Sequence, residues 1–86
     1  MWDQQSFSAL CALARERINS GALPRCKALC EYIAHGSGKV CALCSKQIGT
    51  RDMESEALYE SDPACLFHIA CFDAWSHERR ALSPGP

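Results

Sequence analysis

Cysteine and histidine residues in the second half of the chain stand in two pairs, each with two residues between its members. Cys41 and Cys44 form the first pair, and His68 and Cys71 form the second, with 23 residues between the two pairs. A two-residue gap lets a tight turn, or the first turn of a helix, direct both donor atoms to one point. Three sulfurs and one imidazole are typical of structural zinc. The spacing therefore predicts one zinc ion bound by these four residues.

The chain has seven cysteines, and metal binding is one of three roles that they could have. Cysteine is among the most buried residue types, so part of this number could be ordinary core. Disulfides are the third role, but the first residues carry neither a basic segment nor an apolar run that would direct export. We therefore expect a reduced, cytoplasmic protein whose thiols serve a metal.

Two further residues near the second pair offer alternative roles. Cys65 lies three residues before His68 and competes for a place in the ligand set, although four donors already suffice and a core role is the simpler one. His77 is expected to face solvent on a helix rather than to contact the outer shell of the metal. The sequence leaves the role of Cys65 open.

Four protein ligands close the coordination sphere of zinc, whereas a hydrolytic zinc needs an open position and a nearby base. We therefore expect no enzyme. The formal net charge is −1, which gives no general attraction for nucleic acid. The scattered cations are expected to neutralise the anionic metal site in part rather than to contact phosphate. These cations are Lys39, Lys46, Arg51, Arg79 and Arg80.

The elements that position these residues begin with a helix. Apolar side chains recur at a spacing of three and four residues, which is typical of one helix face; they are Phe7, Leu10, Cys11, Ala14 and Ile18. Asp3 or Ser6 is expected to cap the start of this helix, and Gly21 its end.

A second apolar series, from Pro24 to Gly36, predicts a second helix, and the two would form a hairpin. Cys26 and Cys30 share one side of this helix and are therefore expected to be buried. The alternative is a second metal site in which His35 joins the two cysteines. The sequence leaves that choice open.

Shorter patterns follow in the second half. Residues 39–49 should form a knuckle around the first ligand pair, residues 53–59 a strand, and residues 60–63 a loop. A helix is expected from Phe67 onward, with its aromatic residues packed as a small core beneath the metal rather than stacked on bases. The sequence thus predicts one α+β domain over residues 1–86: a helical part at 1–36, a zinc module at 37–82 and a tail at 83–86.

With these residues described, the stretch from Gly38 to Arg80 resembles a treble-clef zinc finger, of the kind seen in half of a LIM domain or in the poly(ADP-ribose) polymerase-type finger. In both, a CxxC knuckle leads through a β-hairpin to an HxxC pair at a helix start, and residues 67–72 are similar to their aromatic-His-x-x-Cys-Phe signature. With Gly36-Ser37-Gly38 and Trp75, the stretch also resembles a group of small, uncharacterised bacterial proteins. The resemblance implies a structural zinc and no particular activity.

We expect the protein to be a small binding or adaptor module for a protein partner. The apolar face of the first helix is larger than a small finger can cover, and its exposed remainder would be the docking or self-association surface. The alternatives are a nucleic-acid-binding finger and a redox sensor in which oxidation of Cys26, Cys30 or Cys65 releases the zinc. The identity of the partner and the oligomeric state stay open.

Overall fold

The computed structural model describes residues 7–25, 28–59 and 64–82. They form five elements, in the order α1 (Phe7–Asn19), β1 (Cys30–His35), β2 (Met53–Leu58), β3 (Cys65–His68) and α2 (Ile69–Leu82). The strands make one antiparallel sheet with the order β1-β2-β3. The predicted α+β class is confirmed. Within the described ranges, neither helix is long and apolar enough to span a membrane.

Helix α1 forms where its apolar spacing predicts. The buried side chains of its inner face are Leu10, Cys11, Ala14 and Ile18. Phe7 belongs to the same series but stays about half exposed, at 48%. The chain leaves the helix through Gly21, whose φ of 85° is accessible to glycine at little cost. The proposed caps Asp3 and Ser6 lie outside the described residues.

The second predicted helix, and with it the helical hairpin, is wrong. Residues Cys30–His35 form strand β1, which pairs along its whole length with β2. The apolar spacing of this short segment fits a helix. However, the segment also contains aromatic and β-branched residues that fit a strand, and β2 offers it a ladder of backbone hydrogen bonds. Cys30, expected to be buried, is exposed, and so is Ile33 in the same strand. Cys26 lies outside the described residues.

Helix α2 contacts α1 as well as β2 and β3, and it holds the core together. Trp75 and Phe67 are fully buried, and their rings stack with centroids 5.1 Å apart. Phe72 meets Phe67 edge-on at 5.8 Å, which confirms the predicted aromatic core. Phe67 itself belongs to β3, because the helix begins two residues later than its apolar pattern indicated. The predicted loop at 60–63 and tail at 83–86 lie outside the described residues.

Residues 38–48 form a tight hairpin between β1 and β2, which we call the knuckle hairpin. Ile48 N donates to the Lys39 carbonyl oxygen at 2.8 Å and closes its stem. Its turn is fixed to the sheet because Ala42 N donates to the Leu66 carbonyl oxygen at 2.7 Å. The knuckle hairpin therefore covers the outer side of β3 and is held next to the start of α2.

Candidate metal centre

The four predicted ligands converge. Cys41 and Cys44 lie in the turn of the knuckle hairpin, His68 is the last residue of β3, and Cys71 lies in the first turn of α2. Their donor atoms all lie within 4.8 Å of one another. Three parts of the chain thus meet where the sheet passes into the helix, and the resulting cluster can hold a metal ion.

His68 is oriented by a hydrogen bond on the far side of its ring. Its Nε2 lies 3.3 Å from the carbonyl oxygen of Gln47, and because a carbonyl oxygen only accepts, Nε2 must donate. Nδ1 therefore keeps its lone pair, which faces Cys44 Sγ at 3.4 Å and Cys71 Sγ at 3.9 Å. A backbone carbonyl that fixes the ring in this way is typical of metal-bound histidine.

Among the three cysteines of the cluster, Cys41 is the one whose pKa is lowered. The Cys71 thiol donates a hydrogen bond to Cys41, backbone N–H groups donate to the same sulfur, and these contacts lower the pKa of Cys41 to about 4. One of those N–H groups belongs to His68, 3.5 Å from the sulfur. The pKa of Cys71 is raised, first because its thiol donates to Cys41 and then because it is buried. A cation among these sulfurs would favour the second thiolate as well.

The cluster is anchored from its buried side. Cys41 and Cys71 are almost fully buried, whereas Cys44 and His68 are half-buried. Leu43, between the first two ligands, is 0% exposed and packs into the core. Its carbonyl oxygen accepts a hydrogen bond from Arg17 Nε of α1 at 3.3 Å. The first helix therefore also helps to position the ligand turn.

The alternative ligands do not join such a cluster among the described residues. Cys65 lies in β3 opposite Ala57, outside the four-residue set. Cys30 and His35 lie at opposite ends of β1, so a second site built on them does not form from the described part of that trio. No disulfide joins the described cysteines.

The cations do not all gather at the cluster as expected. Arg79 is buried, and its guanidinium lies over the Trp75 ring, 5.2 Å from the centroid. It also lines a cavity of about 380 Å³ between α2 and Glu31 of β1, where Asp73 and Arg80 contribute further charges. Because both signs occur on this wall, the cavity is not a basic surface of the kind that tracks a phosphate backbone.

A second group of donor side chains, which no sequence pattern predicts, converges between α1 and α2. Cys11 Sγ lies 3.9 Å from His77 Nδ1, and the same nitrogen lies 3.2 Å from Glu78 Oε2. Arg15 Nε donates to the other oxygen of Glu78 at 3.0 Å. No spacing signals this cluster, because 66 residues separate Cys11 from His77 and only the packing of the two helices joins them.

Neither a family model, nor a curated protein, nor a solved structure matches this chain. Its function must therefore be inferred from the clusters of donor atoms and from the surfaces that the fold leaves exposed.

Proposed function

We propose that the protein is a zinc-stabilised binding module that takes up an extended segment of a protein partner along the outer edge of β1. Zinc is structural and is held in a treble-clef-like arrangement by Cys41, Cys44, His68 and Cys71. The observation that carries the docking proposal is the exposure of every residue of β1.

The donor set supports zinc as the bound ion. A tetrahedral zinc with bonds of about 2.3 Å to sulfur and 2.0 Å to nitrogen holds these atoms about 3.5 Å apart. The distances from His68 Nδ1 to the sulfurs of Cys44 and Cys71, 3.4 and 3.9 Å, lie on either side of that value. Four protein ligands leave no position for a reacting molecule, so zinc would act by holding the fold.

Elemental analysis of protein purified under reducing conditions tests this part. We expect about one zinc per chain that survives gel filtration with a mild chelator. Cys71→Ser should lose this ion and the amide dispersion of residues 39–80, because zinc binding supplies folding free energy. The matched control is Cys65→Ser, a neighbouring cysteine outside the cluster, which should keep both. A folded protein without tightly held zinc, or equal damage from the two substitutions, would refute the assignment.

The exposed strand β1, rather than the apolar face of α1, is the surface that we propose for the partner. The apolar face of α1 is buried against α2, so little of it remains for docking. In contrast, β1 contacts only β2 among the described elements. Tyr32 and Ile33, at 54% and 67% exposed, lie on opposite faces of this strand, and Leu29 just before it is 68% exposed. The apolar surface available to a partner therefore lies along one extended strand, β1.

The register shows which backbone groups β1 offers. Gly36 N donates to the Asp52 carbonyl oxygen at 2.8 Å. Tyr32 pairs with Glu56 in the same register, four residues earlier in β1, so this is also a hydrogen-bonded pair. Hydrogen-bonded pairs alternate in an antiparallel ladder, so Tyr32 and Ala34 direct their backbone groups to β2. Those of Glu31, Ile33 and His35 point outward. No described strand pairs with them.

The outer edge of β1 carries few of the devices that usually block pairing, with Glu31 as its one acidic residue. Edge strands are commonly protected by lysine, proline, a bulge or a covering loop. Residues 30–35 contain neither lysine nor proline, and residues 31–35 pair one to one with β2. The other edge of the sheet is covered by the knuckle hairpin. An extended peptide added as a fourth strand would gain main-chain hydrogen bonds and contact with Tyr32 and Ile33.

A random peptide library displayed on phage provides the probe, with the zinc-loaded protein as target. Amide chemical-shift changes from a selected peptide should be largest at Glu31, Ile33 and His35. Ile33→Pro removes one outward N–H without touching the β1–β2 ladder and should abolish binding. The control is Val40→Asn, which replaces an exposed apolar residue of the knuckle hairpin (60% exposed) and should leave binding unchanged.

Two outcomes would overturn the docking proposal. One is selected peptides that map to another surface, such as the cavity beside α2. The other is a stable dimer by sedimentation that Ile33→Pro dissociates, which would make a second copy of the chain the occupant of this edge. Neither outcome depends on the zinc assignment, which the elemental analysis tests separately.

A further inference from the structure

We propose a second metal site between α1 and α2, with Cys11, His77 and Glu78 as ligands for a divalent transition-metal ion of the zinc class. Their donor atoms all lie within 4.8 Å of one another, the same limit that the four-ligand cluster meets. The two sets share no residue. Metal binding at the second site can therefore be tested with variants that leave the ligands of the first site unchanged.

The contacts of His77 Nδ1 are the main observation. This atom lies 3.9 Å from Cys11 Sγ and 3.2 Å from Glu78 Oε2. Without a metal, the Cys11 thiol and His77 both donate to the Glu78 carboxylate. With a metal, each of the three donor atoms would instead direct a lone pair at the ion. A tetrahedral zinc would hold sulfur about 3.5 Å and oxygen about 3.4 Å from the nitrogen, within about 0.4 Å of the two distances. One ion among the three atoms would satisfy all of them.

Two of the three ligands are held in place by the fold. Cys11 is 7% exposed and Glu78 is 3% exposed, each on the inner face of its helix. Arg15 Nε donates to Glu78 Oε1 at 3.0 Å, which leaves Oε2 directed at His77. Such outer contacts orient ligating carboxylates in known metal sites. The His77 side chain is 57% exposed and gives an ion access from solvent.

The chemistry of the site differs from that of the four-ligand cluster. One thiolate and one carboxylate neutralise a divalent ion, and the imidazole completes a sulfur, nitrogen and oxygen set that zinc accepts. Three protein ligands leave one tetrahedral position for water or an external donor. We therefore expect weaker, exchangeable binding at this site.

Metal titration of the full chain tests the proposal, with Zn²⁺ or Co²⁺ as the probe. The wild-type protein should bind one equivalent tightly and a second one more weakly. Loss of an outer-shell contact typically lowers metal affinity about 10- to 100-fold. We therefore expect Arg15→Gln to lower the affinity of the second step about 10-fold, and His77→Ala, which removes a ligand, to lower it on the order of 100-fold or more. The matched control is His35→Ala, an exposed histidine on β1, which should leave both steps unchanged.

Cobalt absorption supplies a readout that a purely structural role would not change. The second Co²⁺ equivalent should add a thiolate-to-cobalt band, and Cys11→Ala should remove that increment while the first step and the circular dichroism spectrum persist. Wild-type protein that takes up only one equivalent at millimolar metal would overturn the second site. So would a His77→Ala variant that binds the second equivalent as tightly as the wild type.

Discussion

Gly36→Ala tests the contact between the end of β1 and the segment that follows the knuckle hairpin. An added Cβ would overlap the Gly49 carbonyl oxygen, and would lie 2.9 Å from the Gly49 carbonyl carbon and 3.1 Å from Ile48 Cγ2. Because the Gly49 atoms belong to the backbone, no side-chain rotation relieves the overlap. The two chain segments must separate.

The cost follows from what that separation disturbs. Restoring an ordinary 3.4 Å contact to the Gly49 carbon needs a shift of at least 0.5 Å, and the oxygen needs more. Two neighbouring hydrogen bonds would weaken, Gly36 to Asp52 and Gly38 to Ile48, each contributing about 1 kcal/mol. Overpacking adds about 1–3 kcal/mol, and the lower entropy of the unfolded alanine chain offsets about 0.4–1 kcal/mol. We expect a loss of about 2–4 kcal/mol in the free energy of unfolding.

Urea denaturation of the zinc-loaded protein, followed by tryptophan fluorescence, measures this loss. Gly21→Ala is the matched control, because its Cβ would meet no described atom within 4 Å and only its φ of 85° resists alanine. Gly21→Ala should lower the free energy of unfolding by about 1 kcal/mol. A Gly36→Ala protein with the wild-type urea midpoint, or one more stable than Gly21→Ala, would show that the close approach to Gly49 does not exist in solution.

Three further predictions concern the surface. Ser37→Ala should lower the free energy of unfolding by about 1 kcal/mol in urea denaturation, because its hydroxyl donates to the buried Glu54 carboxylate at 2.9 Å. Labelled oligonucleotides should bind weakly at physiological salt; submicromolar binding that Arg80→Glu plus Lys46→Glu abolishes would favour a nucleic-acid finger instead. Among the described cysteines of the zinc-loaded protein, Cys30 should alkylate first in mass-spectrometric mapping, because it alone is exposed.

The sequence was most informative where spacing alone determines geometry. Two residues between Cys41 and Cys44, and again between His68 and Cys71, restrict each pair to one turn, so their convergence could be predicted without the fold. The face of α1 was equally predictable, because the helical period holds over three turns.

The remainder depended on tertiary partners. Tyr32 and Ile33 fit a helix or a strand, and the choice is made by β2, which lies some twenty residues away in the chain. The sequence also does not predict what covers the apolar face of α1, because the burial of Leu10 depends on α2 at the other end of the described chain. The cluster of Cys11 with His77 has the same origin: separate helices create it, and neither sequence segment alone carries a metal-binding pattern.

The packing of α1 on α2 has a consequence for synthesis on the ribosome. The first helix emerges early, but its main partner is the last element described. Its apolar face must therefore stay exposed until α2 has emerged, and Cys71, which completes the four-residue cluster, arrives at the same stage. Closure of the core and completion of the four-residue cluster thus coincide with the emergence of α2. A nascent chain that stalls before α2 would expose this face to chaperones and to aggregation.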